Sequence, residues 1–308
     1  MNGQEILLES GTNEFEIVEF FVGSQSYGVN VAKVREIIQY DGKSITPIPE
    51  HHPAMLGLYY LRNETFPLID LASILKNEHV SNSDRRVILV CEFNTLVNGF
   101  LVDGVRQIHR CSWESVKPVA NFVSQYRPMI TSTVHFEDRQ ILILDLEHII
   151  STIYPQSAVT YDEDNLPASS LRREEAQIIV AEDSPLIRDA VIKILKKVGY
   201  TNLTVFTNGK DAFAKVMEIK EEAESQRVPI KKFISGILTD IEMPQMDGLT
   251  LCRKVKMDAG IDLPVIMFSS MINEQMAMKC REVGANAYTT KPQTSQLIEL
   301  IDQYFLNK

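Results

Sequence analysis

The spacing of apolar residues changes between the two halves of this chain, and that change limits the folds that each half can adopt. Before residue 154, short segments of alternating apolar and polar residues are separated by turn-prone residues. This pattern is typical of an all-β barrel or sandwich. It predicts strands at 15–22, 27–31, 65–69, 86–93, 98–105 and 140–144. It predicts brief helices at 31–38, 53–56 and 71–75.

After residue 177, strand-like apolar runs alternate with segments of helical periodicity. Short apolar runs at 178–181, 233–238 and 265–268 are each typical of a buried strand. Near the end of the chain, apolar residues recur at the spacing of one helix face: Leu297, Leu300, Ile301, Tyr304 and Phe305. This alternation predicts a doubly wound α/β fold with a parallel sheet.

Residues 154–176 differ in composition from both halves. They combine prolines, serines, threonines and charged clusters without sustained apolar periodicity, which is typical of a linker. A surface loop inside one domain is the weaker alternative, because the apolar pattern differs on its two sides. The predicted organisation is a flexible N-terminus at 1–13, a β domain at 14–153, a linker at 154–176 and an α/β domain at 177–308.

Composition excludes several classes of function. The chain carries 31 Lys and Arg against 41 Asp and Glu, and it lacks the basic segment that contacts with a nucleic-acid backbone require. Apolar runs fall short of the ~18 residues of a membrane span. The N-terminal segment also lacks the basic stretch and apolar core of a signal peptide. We therefore expect a cytoplasmic protein that neither binds nucleic acid nor inserts into a membrane.

Polar side chains follow the predicted strands of the second domain, at the points where those strands end. Glu182 and Asp183 follow the first strand, Asp240 follows the third, Ser269 the fourth and Lys291 the fifth. The carboxyl ends of parallel strands meet at one edge of a sheet. Three carboxylates brought together there repel one another unless a cation lies among them. Mg²⁺ prefers a few carboxylate oxygens together with waters and a phosphate oxygen, so the pattern predicts Mg²⁺ as cofactor of a phosphoryl-transfer site.

Each side chain has an expected role in that site. Glu182 and Asp183 are predicted to hold Mg²⁺, and Asp240 to act as both ligand and nucleophile. Lys291 would place a positive charge beside the phosphoryl oxygens, and Ser269 would supply a hydroxyl donor. Any one of these residues alone is more often a solvated polar group at a strand end. Their occurrence in order, each at a strand end, favours the site.

Residues 177–308 resemble a response-regulator receiver domain. Four motifs carry the resemblance: Glu182-Asp183, the segment DIEMPQMDGL at 240–249, Ser269-Ser270 and the segment YTTKP at 288–292. The resemblance implies that Asp240 is the phosphorylated residue and that the backbone carbonyl of Glu242 completes the metal site. It implies that Tyr288 is an aromatic switch that turns inward when the hydroxyl residue moves. A half-buried strand tyrosine is the alternative for Tyr288.

The chain departs from the receiver pattern at two places. The stretch 217–232 is longer than receivers usually have between their second helix and third strand, which predicts an extended, charged helix and loop. Ser269 stands where a threonine is more frequent, a replacement that retains the hydroxyl group.

Most of residues 14–153 resemble the CheW coupling domain. The segments that carry this resemblance are YGVNVAKVREII at 27–38, ITPIP at 45–49, GLYYLRNETFPLIDL at 57–71, GFLVDGV at 99–105 and ILILD at 141–145. The resemblance implies two small five-stranded SH3-like barrels. The expected fold class is thus multidomain, with an N-terminal all-β double SH3-like barrel and a C-terminal α/β doubly wound (βα)5 receiver.

A CheW-like domain followed by a receiver is the arrangement of the CheV family of chemotaxis coupling proteins. This resemblance implies three partners: the signalling tips of chemoreceptors, the histidine kinase CheA and other CheW-type couplers. It implies a cytoplasmic protein associated with chemoreceptor arrays at the inner face of the membrane. Arg62 falls where the family has a receptor-contacting arginine, with an ordinary exposed arginine as the alternative, and Glu36 is a second interface candidate. Asn63 replaces the glycine that usually follows this arginine, which leaves the turn geometry open.

The leading hypothesis is an adaptor that couples chemoreceptors to CheA and is regulated by phosphorylation at Asp240. The alternative is a phosphate sink, which drains phosphoryl groups from the kinase and loses them by hydrolysis. The same site residues suit both functions, and the sequence sets neither the lifetime of the aspartyl phosphate nor the sign of its effect on the kinase. We expect no enzymatic activity beyond the receiver's self-catalysed phosphotransfer. A transcriptional regulator is disfavoured, because the first domain is acidic and lacks a helix-turn-helix pattern.

Overall fold

The computed structural model describes residues 12–49, 51–80, 86–93, 96–119, 129–136, 139–154, 172–270, 274–291 and 293–306. The chain divides into two compact units. Most of the first unit lies between Phe15 and Ala158, and most of the second lies between Val159 and Lys308. Almost all of the predicted N-terminal segment 1–13 and most of the predicted linker 154–176 lie outside the described residues.

The described strands of the first unit form two sheets. In chain order the strands are β1 (Glu14–Val22), β2 (Gln25–Asn30), β3 (Val34–Gln39), β4 (Ile45–Thr46), β5 (Met55–Leu61), β6 (Glu64–Asp70), β7 (Val87–Phe93), β8 (Leu96–Val102), β9 (Gly104–Ser112), β10 (Lys117–Pro118), β11 (Ile130–Phe136) and β12 (Arg139–Leu144). The strand order is β10-β11-β12-β2-β1-β9 in one sheet and β3-β7-β8-β6-β5-β4 in the other. Strands β2 and β12 pair in parallel, as do β6 and β8, whereas the hairpins are antiparallel.

The predicted all-β character of this unit is confirmed, and each predicted strand overlaps an observed one. The resemblance implied five strands for each barrel, whereas the described strands of this unit form two sheets of six. The additional strands include the two-residue strands β4 and β10, which lie at sheet edges. Strands this short leave almost no periodic pattern in a sequence, because period-two alternation needs about four residues to be recognised.

Two of the three predicted helices in this unit are wrong. Segment 71–75 is helix α1 (Leu71–Leu75), but at 31–38 only Val31–Lys33 forms a helical turn and the rest is strand β3. Residues 53–54 form a turn, and strand β5 begins at Met55. Strand β3 pairs with β7, so tertiary hydrogen bonding outweighs the local helical pattern there.

The core of the first unit joins residues from both sheets. Phe20 on β1, Leu89 on β7 and Phe100 on β8 are fully buried in one cluster. Helix α2 (Leu146–Ile153) covers this cluster with apolar residues at helical spacing, and the Asp145 side chain caps the helix by accepting a hydrogen bond from the His148 N–H. Each large side chain buried there contributes about 1.5–3 kcal/mol of transfer free energy.

The second unit has a parallel sheet with helices between its strands. Its strands are β13 (Gln177–Ala181), β14 (Asn202–Phe206), β15 (Gly236–Thr239), β16 (Val265–Ser269) and β17 (Ala287–Thr290). Its helices are α3 (Pro185–Lys197), α4 (Gly209–Gln226), α5 (Gly248–Arg253), α6 (Glu274–Glu282) and α7 (Thr294–Ile301). The strand order is β14-β13-β15-β16-β17, and all neighbours are parallel. The predicted doubly wound α/β fold is confirmed.

The sheet of the second unit has a separate core on each face. On β16, Met267 packs in one cluster and Ile266 in the other, because successive side chains of a strand point to opposite faces. Helix α4 runs for 18 residues and is followed by a further short helical turn at Ile230–Lys232. This confirms the extended, charged helix predicted from the long stretch at 217–232. Strand order reverses between β13 and β15, where such folds place ligands.

Candidate functional site

The functional side chains of the second unit lie where the parallel strands end. Glu182 follows β13 directly, Asp240 follows β15, and Lys291 follows β17. Ser269 is the last residue of β16. All four residues are buried. The shared direction of the strands therefore brings residues distant in sequence to one edge of the sheet.

Lys291 lies between two carboxylates. Its Nζ is 2.7 Å from Glu182 Oε2 and 2.9 Å from Asp240 Oδ2, and its side chain is 3% exposed. Both distances fall in the range of charge-assisted hydrogen bonds. Because the pairs are removed from water, screening by solvent is weak and each charge strongly influences the others.

The acidic pair and Asp240 form a cluster that suits a divalent cation. Glu182, Asp183 and Asp240 each offer a carboxylate oxygen, and these oxygens lie within 4.8 Å of one another. Ligand oxygens around one Mg²⁺ lie about 2.1 Å from the ion, so opposite ligands are about 4.2 Å apart. The donor set contains only hard oxygen ligands, which is the type that Mg²⁺ prefers. The residues present therefore fit this metal.

Burial raises the pKa of Glu182 well above its ordinary value. Lys291 opposes this effect by favouring the ionised form, while repulsion from Asp240 and Asp183 adds to it. The effect of Lys291 is thus smaller than the combined effect of burial and carboxylate repulsion at Glu182. A divalent cation placed among these oxygens would favour the ionised form of Glu182.

Backbone contacts fix the orientation of Asp240. Its N–H donates to the Ala181 carbonyl at 2.9 Å, and its Oδ1 accepts a hydrogen bond from the Ile241 N–H at 2.7 Å. Gly248 packs directly against the same loop, since a Cβ there would lie 2.0 Å from the Asp240 carbonyl oxygen. The glycine of the segment 240–249 is therefore needed for close approach of the backbone.

Three further predicted residues lie on the strands that end at this edge or in the loop that follows one of them: Ser269, Glu242 and Tyr288. Ser269 is buried beside Lys291, whose N–H donates to the Ser269 carbonyl at 3.0 Å. Glu242 is half-buried in the loop that follows Asp240. Tyr288 is half-buried on β17, opposite Met267 of β16.

Two arginines at this site had not been predicted. Arg188 on α3 donates from Nη1 to the backbone carbonyls of Glu182 and Asp183, at 3.2 and 3.1 Å, and so holds the acidic loop. Arg281 on α6 donates to the Tyr288 hydroxyl at 2.9 Å. No local sequence pattern indicates either residue, because each acts through a tertiary contact.

The two interface candidates of the first unit lie together. Arg62 Nη1 is 3.3 Å from Glu36 Oε2, and the Arg62 side chain is 78% exposed. Arg62 and Asn63 form the turn between β5 and β6 with φ values of 46° and 73°. Asparagine adopts this left-handed conformation more readily than most residues. Asn63 therefore supports the tight turn for which a glycine is usual.

Further charged side chains surround this ion pair. Arg35 on β3 contacts Glu64 on β6, and lies 3.9 Å from Glu36 and 3.8 Å from Glu92. Ile37, on the same strand as Arg35, is 42% exposed. Individual ion pairs of this kind contribute about 0–1 kcal/mol to stability. Together they form a surface of mixed charge.

The fold and the two clusters define the class of this protein: a two-sheet β domain joined to a receiver-type α/β domain. Family models match accordingly, the CheW-like domain over residues 16–153 and the response regulator receiver domain over residues 178–302. Chemotaxis protein CheV3 of Helicobacter pylori is 31% identical to this chain, over 94% of the chain and 94% of the relative. The chain therefore belongs to the CheV family of chemotaxis proteins, as its sequence motifs had indicated.

Solved structures resemble one unit each. The scaffolding protein TtCheW from Thermoanaerobacter tengcongensis is 23% identical, with a TM-score of 0.40, covering 47% of this chain and 90% of that one. The receiver domain of the histidine kinase CKI1 from Arabidopsis thaliana, complexed with Mg²⁺, is 27% identical, with a TM-score of 0.39, covering 44% and 97% respectively. Among the described residues, no helix has the length and apolar character needed to span a membrane.

Proposed function

We propose that this protein is a chemotaxis adaptor that couples chemoreceptors to the histidine kinase CheA and is regulated by phosphorylation at Asp240. The observation that carries the regulatory part is the buried contact of Lys291 with both Glu182 and Asp240, beside a third carboxylate. A structural ion pair does not need this excess of negative charge, whereas a phosphoryl-accepting aspartate with a metal site does. Membership of the CheV family supports the coupling part.

Asp240 would accept the phosphoryl group directly. An Oδ oxygen of Asp240 attacks phosphorus, the bond from phosphorus to the donor histidine nitrogen breaks, and that nitrogen keeps the bonding electrons. Lys291 then faces the phosphoryl oxygens and offsets their charge. Ser269, buried at the end of the neighbouring strand, would donate its hydroxyl to the same group.

Glu182, Asp183 and Asp240 are the side chains that would hold Mg²⁺, with the backbone carbonyl of Glu242 as a further ligand. The ion would supply positive charge that offsets the negative charge of the carboxylate and of the phosphoryl group. Arg188 contributes indirectly, since its contacts with two backbone carbonyls hold the acidic loop in position. No activity other than this self-catalysed phosphotransfer is proposed.

In the first unit, Arg62 and Glu36 are proposed to contact a partner. Arg62 lies at the tip of a tight hairpin with most of its side chain exposed, so little reorganisation is needed for it to reach an acidic surface. Receptor signalling tips, CheA and other CheW-type couplers are the proposed partners. Such contacts would place the protein at chemoreceptor arrays, on the cytoplasmic side of the membrane.

Co-sedimentation of CheA with receptor-bearing membranes tests this function. The full chain is titrated in, with and without acetyl phosphate and Mg²⁺. We expect the wild type to increase the kinase in the pellet and phosphorylation to change the yield. Asp240→Ala should retain the increase and lose the response to acetyl phosphate, and Arg62→Ala should weaken the increase itself.

Two outcomes would overturn the proposal. If Asp240→Ala abolished recruitment together with its regulation, coupling and phosphorylation would not be separable functions of the two units. If the wild type recruited no kinase in either state but removed radiolabel from phosphorylated CheA, a phosphate sink would replace the adaptor.

A further inference from the structure

The hydroxyl group of Tyr288 is held by a residue on the neighbouring helix. Arg281 Nη1 donates to the Tyr288 hydroxyl at 2.9 Å, and the guanidinium carbon of Arg281 lies 5.9 Å from the centroid of the tyrosine ring. The same side chain therefore contacts both the polar tip and the aromatic ring. Contacts of a guanidinium with an aromatic ring are attractive, because the ring presents negative potential at its face.

The surroundings of Arg281 and Tyr288 show which way the tyrosine hydroxyl points. Arg281 is exposed near the end of α6, whereas Tyr288 is half-buried on β17. The tyrosine packs against the core cluster that contains Met267, its cross-strand neighbour. Its hydroxyl thus points away from that cluster, toward an exposed cation.

Movement of Tyr288 into the sheet edge would break this contact. The ring would leave the guanidinium, and the hydroxyl would lose the hydrogen bond that Arg281 donates to it. The contact between Arg281 and Tyr288 can therefore form only while the tyrosine side chain is in its outward position. An interaction present in one of two states shifts the balance between them by its full free energy.

We propose that Arg281 is a positioning residue that holds Tyr288 outward in the unphosphorylated receiver and so sets the resting balance of the switch. This inference rests on the proposed function, because it assigns the outward position of Tyr288 to the unphosphorylated state. Occupation of the Asp240 site and inward movement of Tyr288 are then linked equilibria. Any change that weakens the outward position should strengthen binding of a phosphoryl analogue, by at most the same factor.

Calorimetric titration of the full chain with fluoroberyllate in the presence of Mg²⁺ tests this linkage. Fluoroberyllate is a reversible phosphoryl analogue, so the experiment reports a binding equilibrium rather than a rate. Arg281→Ala should lower the half-saturating concentration of fluoroberyllate by about two- to five-fold. This is the factor expected from loss of one exposed charged contact. Arg281→Lys retains a donor and a charge, and should restore part of the wild-type value.

A double-mutant cycle isolates the contact itself. Tyr288→Phe removes the acceptor hydroxyl but retains the ring, so Arg281→Ala should have a smaller effect in that background than in the wild type. Lys215→Ala on α4 is the matched control for loss of one positive charge, because Lys215 pairs with Glu218 on the same helix. Its half-saturating concentration should equal that of the wild type.

The outcomes separate failure of this inference from failure of the proposed function. If Arg281→Ala lowered the melting temperature but left fluoroberyllate affinity unchanged, Arg281 would be only a structural contact and the inference would be wrong. If the wild type bound no fluoroberyllate, or bound it equally well as Asp240→Ala, the phosphoryl-accepting site itself would be wrong.

Discussion

Each unit of the protein buries a glutamate, and the pKa values of the two glutamates are shifted in opposite directions. Glu19 on β1 is fully buried and accepts hydrogen bonds from Arg139 Nε at 2.9 Å and from Ser26 Oγ at 2.8 Å. His109 Nε2 lies 2.7 Å from its other oxygen. Burial alone raises the pKa of Glu19, but hydrogen bonds from Arg139, His109 and Ser26 outweigh burial and lower that pKa to about 2.

Glu182 in the second unit pairs with Lys291, which also contacts Asp240. Its pKa is raised by burial, and the neighbouring carboxylates of Asp240 and Asp183 add to that effect. The ionised form of Glu182 is thus costly in the folded protein, whereas the ionised form of Glu19 is stabilised.

The difference shows how one residue type can serve stability in one unit and chemistry in the other. A buried carboxylate whose hydrogen-bond acceptors are satisfied stabilises one packing arrangement. A buried carboxylate with too little positive charge around it has a residual attraction for a cation and for a charged substrate complex. The comparison predicts that identical changes will have opposite results in the two units.

The largest expected effect is that of Glu19→Gln. Neutralising this residue leaves Arg139 and His109 with a weaker partner, and we expect the first unit to lose about 3 kcal/mol of unfolding free energy. Hydrogen exchange of β1 and β12 amides during urea unfolding measures the loss for that unit alone. Glu16→Gln, on the same strand and half-buried, is the matched control. An unchanged midpoint for Glu19→Gln would show that the cluster around it contributes nothing.

Addition of Mg²⁺ should stabilise the second unit and leave the first unchanged. At ten times its dissociation constant, the metal stabilises by about 1.4 kcal/mol. The effect should decrease as pH falls, because protons compete for Glu182, whose pKa is raised. Hydrogen exchange of β13 and β15 with and without Mg²⁺ measures it. Asp183→Asn should reduce the gain, and equal stabilisation of both units would argue against a specific site.

Acidification from pH 7 to pH 5 should also separate the two units. Burial raises the pKa of Asp247 to about 6, above the ordinary value of 3.8, so its contribution to stability is largest below pH 3.8 and is lost as pH rises through 6. The second unit should therefore gain about 1 kcal/mol on acidification to pH 5. The contribution of Glu19 is fully present above pH 4.5 and is lost as pH falls toward 2, so it should not change in this range.

Asp247→Asn distinguishes this source of pH dependence from all others. The amide retains the ability to cap α5, where the Asp247 side chain accepts a hydrogen bond from the Thr250 N–H. The variant should show a flatter stability profile for the second unit between pH 5 and pH 7. A profile identical to that of the wild type would assign the titration to another group.

The smallest expected effect on stability is that of Glu182→Gln, and its sign is opposite to that of Glu19→Gln. Because ionised Glu182 is disfavoured in the folded state, its neutral replacement should raise the unfolding free energy of the second unit by up to about 1 kcal/mol. The same variant should bind Mg²⁺ more weakly and incorporate less label from acetyl phosphate. A destabilisation comparable to that of Glu19→Gln would remove the distinction between the two clusters.

Much of the receiver-type site was predictable because its geometry follows from chain order. A residue directly after a parallel strand lies at the carboxyl edge wherever that strand occurs in the sheet. Glu182, Asp240, Ser269 and Lys291 were located by this rule, and the structure brings them to that edge. The rule does not apply to the mixed sheets of the first unit, where the ends of strands joined by antiparallel hairpins alternate between edges. For this reason the sequence suggested Arg62 and Glu36 only through family resemblance.

The sequence by itself determined the two fold classes, the family and the order of polar residues at the strand ends, because these depend on periodicity and local motifs. Tertiary structure alone decided that Val34–Gln39 is a strand, since pairing with β7 outweighs its helical pattern. It alone joined Glu19 to Arg139, 120 residues away, and Arg281 to Tyr288. The pKa of a buried carboxylate depends on which charges come within a few ångströms of it, and that distance is a property of the folded chain rather than of any local segment.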